Sequence, residues 1–486
     1  MIFSSIIFLF HFLPFTLAAY YIAPPRAKNT VLFVCSLVFY CWGEVRFFPV
    51  MLTLILINYL CGLAIAHFEG RPGMRRLFLA LALVGSLGML FYFKYANFVL
   101  ESANALLGTR FAPIEGISVL PLGISFYTFQ TLSYTIDVYR HDVASEKNII
   151  DFGAYVVMFP QLIAGPIVKY RDVAAQLHVY KHRYNIAQIE EGMTIFTFGL
   201  AKKVLLADAV GALWTDIIGV ADDASVTFVG LANASTGLVW LGILAYSFQL
   251  YFDFSGYSMM AIGMGKMMGF EFPQNFNYPY ISASITEFWR RWHMSLSQWF
   301  RDYVYIPLGG SRVGKVRNIL NLFLVWLLTG IWHGANYTFI VWGLLQFVVQ
   351  LVEKVLIHPE KRRFFLLRGA WRLVTLLTIV LGWVIFNSAS LSQAGAYIAS
   401  MFGAGALSLA DNQALHLWRE YGAYMVMGIA FSTPVAKVCG QKLQARFPAR
   451  RTLLFNLRTA GELFIFLWAA SFVLLGSYNP FIYFNF

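Results

Sequence analysis

Apolar runs separated by short polar or charged stretches extend along almost the whole chain. Those that are long enough, or nearly long enough, to cross a bilayer cover residues 2–22, 31–42, 48–66, 77–93, 117–136, 228–250, 373–386, 424–438 and 462–476. A spanning helix needs about 20 mostly apolar residues, whereas a membrane β-barrel shows alternating segments of about 10 residues, which are not evident in this sequence. The pattern predicts an all-α polytopic integral membrane protein, and we expect residues 1–486 to form a single membrane-embedded domain.

Composition agrees with this class. Hydrophobic residues make up 59% of the chain and charged residues only 12%, and the mean hydropathy is +0.64. A typical soluble domain has about 25% charged residues. The formal net charge of +12 does not indicate a nucleic-acid partner, because Lys and Arg collect in the cytoplasmic loops of membrane proteins. Part of the excess is also suited to an anionic cofactor or to lipid headgroups.

Basic residues mark one side of the predicted membrane protein. They recur in loops near residues 26, 71, 140 and 175, and the positive-inside rule assigns such loops to the cytoplasm. No Lys or Arg precedes the first apolar run, whereas Arg26 and Lys28 follow it, which is the reverse of a secretory signal peptide. We therefore expect an uncleaved first span with the N-terminus outside.

Two prolines interrupt the short apolar stretch at residues 150–168, which has basic loops at both ends. Irregular backbone at membrane depth is tolerated only where it is buried in protein or lines a cavity. We predict a re-entrant segment that enters and leaves on the cytoplasmic face. The alternative is an amphipathic surface helix.

Residues 286–305 combine Trp with Arg and are too charged to cross lipid. On one helix, Trp289, Trp292 and Trp299 would lie near one face with His293 beside them. Since Trp and Arg are both stable at the membrane boundary, we predict a helix at the cytoplasmic interface.

Three ionisable residues lie inside apolar stretches upstream of this region. Asp253 has no neighbouring charge in the sequence before Lys266, and it is predicted either to cap the cytoplasmic end of a helix or to line a cavity. Lys202 and Lys203 are predicted either to snorkel from a tilted helix or to face a polar cavity.

One histidine, His333, lies between two glycines where two apolar arms meet. The arms, residues 319–331 and 337–351, are flanked by basic residues and predict a hairpin rooted in the cytoplasm, with residues 330–336 at its apex. Glycines there permit a tight turn and close approach of a ligand. A charge at mid-membrane costs about 3 kcal/mol or more, so His333 is a candidate functional residue. The alternative is a packed polar side chain.

His293 and His333 are the two histidines best placed for chemistry, because the others lie in or near loops or, for His11, in the first span. Neutral imidazole can take a proton from a hydroxyl, and burial keeps it neutral. No Gly-x-Ser-x-Gly elbow and no nearby cysteine supports a covalent nucleophile. A metal site of His293, His333 and Asp253 has little support in the spacing, so we predict no metal.

Several motifs together resemble the membrane-bound O-acyltransferase (MBOAT) family. They are Trp332-His333-Gly334 after an apolar arm and the stretches at residues 123–130, 164–166, 252–258, 275–279 and 287–297. Residues 1–15 and 93–98 are similar to the bacterial branch that acts in O-acetylation of alginate and other exopolysaccharides. The resemblance covers about residues 1–390, and the helices at about 391–486 are less specific.

The resemblance implies a bundle of about ten or more transmembrane helices, with re-entrant and interfacial helices, around a central funnel or tunnel. It implies that His333 is the catalytic histidine and that His293 supports it. The candidates for positioning substrate are Asp253, Asn336, Gln298, Arg291 and Trp332.

The expected reaction is O-acetyl transfer in the bacterial inner membrane, with the N-terminus in the periplasm. The resemblance implies acetyl-CoA as the cytoplasmic donor and no bound cofactor. It also implies a periplasmic acetyltransferase partner and a polysaccharide biosynthesis complex, with membrane lipids around the chain. The basic loops at residues 312–317 and 354–363 would suit an anionic CoA, although the positive-inside bias explains them equally well.

Two alternatives stay open. One keeps the family but changes the donor to a carrier protein that delivers D-alanine to a teichoic acid. The other is a transporter without chemistry, whose expected mark is a pair of matching broken helices in two related halves, which we do not find.

Overall fold

The computed structural model describes residues 1–117, 119–178, 185–219, 234–357, 365–405, 408–447, 451–476 and 481–482, and these residues form helices without a strand. The α-helices are α1 (Leu13–Ile22), α2 (Lys28–Gly43), α3 (Phe48–His67), α4 (Pro72–Lys94), α5 (Ala96–Leu107), α6 (Ile124–Arg140), α7 (Ile149–Val157), α8 (Phe159–Leu162), α9 (Tyr170–His178), α10 (Ile186–Ala201), α11 (Asp208–Ile218), α12 (Thr236–Met267), α13 (Ile285–Trp289), α14 (Met294–Phe300), α15 (Lys315–His333), α16 (Tyr337–Val352), α17 (Phe365–Asn387), α18 (Leu391–Met401), α19 (Asn412–Phe431), α20 (Val435–Arg446) and α21 (Arg451–Leu475). Short π-helical segments lie at Phe8–Phe12, Lys202–Ala207, Arg301–Tyr305 and Glu353–Ile357.

Seven helices in the described part of the chain are long and apolar enough to cross a membrane. These segments are Phe48–His67, Pro72–Lys94, Thr236–Met267, Lys315–His333, Tyr337–Ile357, Gly369–Asn387 and Thr452–Leu475. The pair α19 and α20, bent by 69° at its break, makes up to eight. Among the described residues, Phe8–Ile22 is a shorter apolar helix. The number of about ten or more that the resemblance implies stays a prediction. The all-α multi-pass membrane fold is confirmed.

The chain divides into two compact units, which are described separately. The first comprises Met1–Phe196 and Tyr257–Gln274, and the second comprises Thr197–Gly256 and Asn275–Phe486. Whether they form one membrane-embedded domain stays a prediction.

The first unit contains a polar tie within its apolar core. The side-chain amide of Asn58 on α3 donates to Ser86 Oγ on α4 at 2.9 Å, and its oxygen accepts from Thr135 Oγ1 on α6 at 2.8 Å. All three side chains are buried, so each polar atom finds its partner inside the protein. The tie fixes the mutual register of three packed helices.

The interrupted stretch at residues 150–168 also lies in the first unit and forms α7 and α8 with a break between them. Every residue from Phe152 to Leu162 is buried. A surface helix would leave one face in solvent, so that alternative is wrong, and the broken, buried segment is confirmed. Its entry and exit on the cytoplasmic face stay a prediction.

The pair of helices predicted around His333 lies in the second unit and is confirmed, while its root in the cytoplasm stays a prediction. Helices α15 and α16 pack against each other closely because two glycines face the partner backbone. A Cβ on Gly330 would lie 2.5 Å from the carbonyl oxygen of Phe339, and one on Gly343 would lie 2.5 Å from that of Trp326. Only glycine allows this approach, which is closer than real Cβ contacts.

The single interfacial helix predicted for residues 286–305 is wrong. The chain instead forms α13, a break at residues 290–293, α14 and the π-helical segment Arg301–Tyr305. His293 adopts a left-handed conformation with φ 44°, which ends helical propagation. The backbone around it is held by the 275–277 stretch, since Asn277 N donates to Arg291 O at 2.9 Å and Met294 N donates to Asn275 O at 3.0 Å.

Candidate active site

His333 is the last residue of α15 and is enclosed by aromatic rings from three helices of the second unit. The ring centroid of Trp332 lies 5.0 Å from that of His333, that of Trp342 on α16 lies 5.0 Å away, and that of Phe386 on α17 lies 5.2 Å away. All three rings meet the imidazole edge to face. The imidazole is buried, and this aromatic enclosure limits the access of bulk water to it.

His293 is buried with a ring that makes no hydrogen bond. Only 1% of its surface is exposed, and neither Nδ1 nor Nε2 has a hydrogen-bond partner among the described residues. Such buried orphan atoms are rare in folded proteins and indicate a position for a ligand or water. Burial lowers the pKa of His293 to about 3, so the imidazole is neutral at physiological pH. A left-handed non-glycine residue with an unpartnered polar ring is typical of a functional site.

The indole of Trp332 brings the two histidines into one cluster. Its centroid lies 6.2 Å from that of His293 and 5.0 Å from that of His333. The break before α14 and the end of α15 therefore present both imidazoles to the same aromatic group. The structure thus brings His293, Trp332 and His333 together, while the roles predicted for them stay predictions.

A cavity of about 480 Å³ lies within the second unit, and its lining includes chain neighbours of this cluster but none of its three members. It reaches Met294, next to His293, and Thr329, one turn before His333. Its walls are Thr286, Trp289, Arg290, Met294, Leu296, Ser297, Gln298, Phe300, Arg301, Tyr305, Leu322, Val325, Trp326, Thr329 and Gln350. The lining is mostly apolar with two guanidinium groups, a combination that suits a ligand with an apolar arm and an anionic end.

Of the predicted positioning residues, Gln298 lines this cavity and two others are engaged by the protein backbone. Asn336 caps α16, because its Oδ1 accepts from Thr338 N at 3.0 Å, while its amide donates to Ala389 O at 2.9 Å. The guanidinium of Arg291 contacts Glu287 at 2.9 Å and donates to Asn277 O at 3.1 Å. These contacts give both side chains a role in shaping the local backbone.

Asp253 lies in the middle of α12, so the alternative that it caps a helix end is wrong. Its carboxylate is 3.1 Å from Lys203 Nζ, and its other oxygen accepts from Ile482 N at 2.9 Å. Lys203 is correspondingly buried and ion-paired rather than snorkelling. Asp253 is not part of the cavity lining, and its predicted role in substrate binding stays a prediction.

The structure gives no support to a metal site of His293, His333 and Asp253. Among the described residues, the group with metal-ligand spacing is Glu146, Asp151 and His178, in the first unit. Those carboxylates already accept hydrogen bonds from Tyr170 and Asn29, and His178 Nε2 is 2.9 Å from Glu146.

Sequence reasoning missed two tryptophan–glutamine hydrogen bonds at the cavity. Trp289 Nε1 donates to Gln346 Oε1 at 3.1 Å, and Trp326 Nε1 donates to Gln350 Oε1 at 2.9 Å. The signal that could have found them is the pair of glutamines four residues apart on the apolar helix α16, since a polar side chain there needs a buried partner. Lys361, Arg362 and Arg363, predicted to attract CoA, lie outside the described residues.

Comparisons with known proteins identify the family of this chain. The model of the membrane-bound O-acyltransferase family matches residues 37–392. A probable alginate O-acetylase of Pseudomonas syringae pv. tomato is 46% identical over 85% of this chain and 77% of its own length. A peptidoglycan O-acetyltransferase of Helicobacter pylori is 33% identical over 100% of this chain and 98% of its own length. A teichoic acid D-alanyltransferase of Bacillus subtilis is 31% identical over 55% of this chain and 67% of its own length.

The chain belongs to the membrane-bound O-acyltransferase family. It is a multi-pass membrane enzyme that transfers acyl groups to oxygen. Both histidines and every residue of the cavity fall within the matched range.

Proposed function

We propose that this enzyme takes an acetyl group from acetyl-CoA on the cytoplasmic side of the inner membrane and moves it through the membrane for O-acetylation of an exopolysaccharide such as alginate or cellulose. The observation that carries the proposal is the cavity whose lining reaches Met294, next to His293, and Thr329, one turn before His333. It combines apolar walls with Arg290 and Arg301. The O-acetylating relatives support acetyl as the group that is transferred, since they match most or all of this chain.

His333 is the proposed general base. Its neutral imidazole accepts the proton of the acceptor hydroxyl as that oxygen attacks the thioester carbonyl. The new C–O bond forms as the C–S bond breaks, and the proton passes from His333 to the departing thiolate of CoA. Positioned base catalysis of this kind contributes about 10²–10⁴-fold to a rate.

His293 is the proposed donor-side partner. Its ring nitrogens have no partner among the described residues, so its N–H is available to the thioester carbonyl oxygen. A donor aimed at that oxygen stabilises the negative charge that develops as the hydroxyl attacks, and it is most effective where water is excluded. Since burial keeps the pKa of His293 far below neutrality, the ring would act as a neutral donor and not as an imidazolium.

The cavity suits the proposed donor in both of its chemical parts. Arg290 and Arg301 would pair with CoA phosphates, because guanidinium groups bind phosphate through paired hydrogen bonds. The apolar wall around Leu322 and Val325 would hold the pantetheine arm. Gln298, on the same lining, would exchange a hydrogen bond with an amide of that arm.

The membrane orientation belongs to the same proposal. The basic loops near residues 26, 71, 140 and 175 favour a periplasmic N-terminus in the bacterial inner membrane. A periplasmic acetyltransferase and a polysaccharide biosynthesis complex would then receive the acetyl group. The D-alanyl alternative is weaker because the D-alanyltransferase relative matches only 55% of this chain. Membership of an acyltransferase family argues against a transporter without chemistry.

Replacing His333 with Ala tests the assignment. We expect folded, inserted protein with polymer acetylation lowered at least about 100-fold, since the base is lost. The matched control is His416→Ala, which removes an exposed histidine from α19. The measurements are the acetyl content of the polymer in cells and turnover of labelled acetyl-CoA by the purified protein with its partner.

Two outcomes would contradict the proposal. Acetylation at the wild-type level in His333→Ala would exclude His333 as the base. Consumption of a D-alanyl carrier protein in place of acetyl-CoA would assign the donor to the teichoic acid alternative.

A further inference from the structure

The residues Phe481 and Ile482 are held inside the second unit. Phe481 has no exposed surface, and its ring centroid lies 5.7 Å from that of Phe254 on α12. The backbone N–H of Ile482 donates to Asp253 Oδ2 at 2.9 Å. This contact joins residues that are 229 positions apart in the sequence, so it fixes a distant segment to the middle of a spanning helix.

Asp253 also forms a buried ion pair with Lys203. Lys203 Nζ lies 3.1 Å from Asp253 Oδ1 and 2.5 Å from Asp208 Oδ1, and the Lys203 and Asp253 side chains are 3% and 2% exposed. The two carboxylate oxygens of Asp253 thus make different contacts. Oδ1 faces the Lys203 ammonium, and Oδ2 accepts a hydrogen bond from the backbone N–H of Ile482. Charged side chains in spanning helices are rare, and those that occur are usually paired and functional.

The local backbone is adapted to bring Lys203 to Asp253. Helix α10 continues directly into the π-helical segment Lys202–Ala207. Such π-helical distortions are frequent at functional sites. Gly256, one turn after Asp253 on α12, allows α12 to approach the backbone at residues 199–203 closely. A Cβ there would lie 2.7 Å from Gly199 O and 3.1 Å from Lys203 N.

We propose that the Lys203–Asp253 pair anchors the segment at Phe481 and Ile482, and that this anchor holds Phe254 against His293. The centroids of Phe254 and His293 lie 4.8 Å apart, with the rings edge to face. Asp253 is then a positioning residue, because it acts on His293 through the 481–482 segment and Phe254. Its effect on acetylation rests on the proposed function, whereas the anchor itself does not.

The sharpest test removes one hydrogen-bond donor. Ile482→Pro deletes the N–H that Asp253 accepts and leaves every buried charge in place. Ile482→Val keeps the N–H and is the matched control. The reporter is Phe481→Cys in a chain whose four native cysteines are replaced by serine, because a thiol at a fully buried position reacts slowly with a maleimide. The reporter removes the ring and leaves the hydrogen bond.

We expect the maleimide to label the reporter thiol at least tenfold faster in the Ile482→Pro protein than in the Ile482→Val protein. Asp253→Asn, which removes the charge from the acceptor, should accelerate labelling as well. Asp216→Asn, at an exposed carboxylate of α11, should leave the rate unchanged. Equal labelling of the Pro and Val proteins would overturn the anchor.

Acetylation is measured separately in chains that keep Phe481. Ile482→Pro should lower the acetyl content of the polymer at least tenfold relative to Ile482→Val, with Asp216→Asn at the wild-type level. Faster labelling without a change in acetylation would overturn the positioning role and keep the anchor. If the wild-type protein transfers no acetyl group, the proposed function fails, and the labelling result still decides the anchor.

Discussion

Two segments of different structure place an imidazole next to Trp332. One is the hairpin whose first helix ends at His333, and the other is the broken segment that contains His293. His333 completes a regular helix, and the hairpin around it is held by glycine contacts between adjacent helices. His293 sits in a left-handed turn between two short helices. Regular packing places the first histidine, whereas hydrogen bonds from distant residues place the second.

The distant residues are visible at both ends of α13. At its start, the buried carboxylate of Glu353 accepts from Ile285 N at 2.6 Å and from Thr286 N at 2.9 Å, and so satisfies amides that a helix N-terminus leaves open. Beyond its end, Asn275 Oδ1 accepts from Ser295 Oγ at 2.9 Å. The broken segment is therefore held by hydrogen bonds from residues that are distant in the sequence.

The largest effect is expected in the hairpin. Gly330→Ala would place a Cβ 2.5 Å from the carbonyl oxygen of Phe339, a backbone atom of α16 that cannot rotate away. We expect a loss of about 3 kcal/mol or more, at the upper end of overpacking penalties. Thermal unfolding in detergent measures it.

Gly461→Ala on α21 is the control for this change, since a Cβ there meets nothing within 4 Å. It should unfold at the wild-type temperature or slightly above, because Ala favours a helix by about 1 kcal/mol over Gly. Equal stability of the Gly330→Ala protein and the wild type would show that the hairpin does not depend on close helix contact.

A smaller effect is expected where the broken segment is capped. Glu353→Ala removes the acceptor for two amides of α13, for Thr286 Oγ1 and for Trp371 Nε1. We expect a loss of about 2 kcal/mol, because an N-cap is worth about 1 kcal/mol and a buried donor left open adds to it. Amide hydrogen exchange should accelerate in α13 and not in α15. Glu420→Ala, at an exposed carboxylate of α19, should change neither, and unchanged exchange in α13 would contradict the capping role.

The same contrast explains what could be predicted from the sequence. Gly330, His333 and the two apolar arms are neighbours along the chain, so their pattern predicted the hairpin. The resemblance pointed to His293, whereas the pattern of Trp and Arg predicted a continuous helix. That helix was wrong because the break is held by hydrogen bonds to Asn275 and Asn277, which lie outside the predicted segment. The hydrogen bond between Asp253 and Ile482 joins residues 229 positions apart, and no local sequence pattern predicts it. Local periodicity predicts regular helices, and it carries no information on a backbone that is shaped by distant donors and acceptors.

The smallest effect is expected at His293, where two substitutions distinguish the contribution of the backbone conformation from that of the imidazole. His293→Gly and His293→Ala both lack the imidazole, so both should lose acetylation to the same extent. They should differ in stability, with Gly more stable by about 1 kcal/mol, because a left-handed conformation costs an L-residue about 1–2 kcal/mol. At Gly330 the strain would arise instead from packing against α16. If the Ala protein were as stable as the Gly protein, the turn would carry no strain. If Gly is more stable, the chain keeps a strained residue here, and the reason must lie in the imidazole, whose two ring nitrogens have no partner among the described residues.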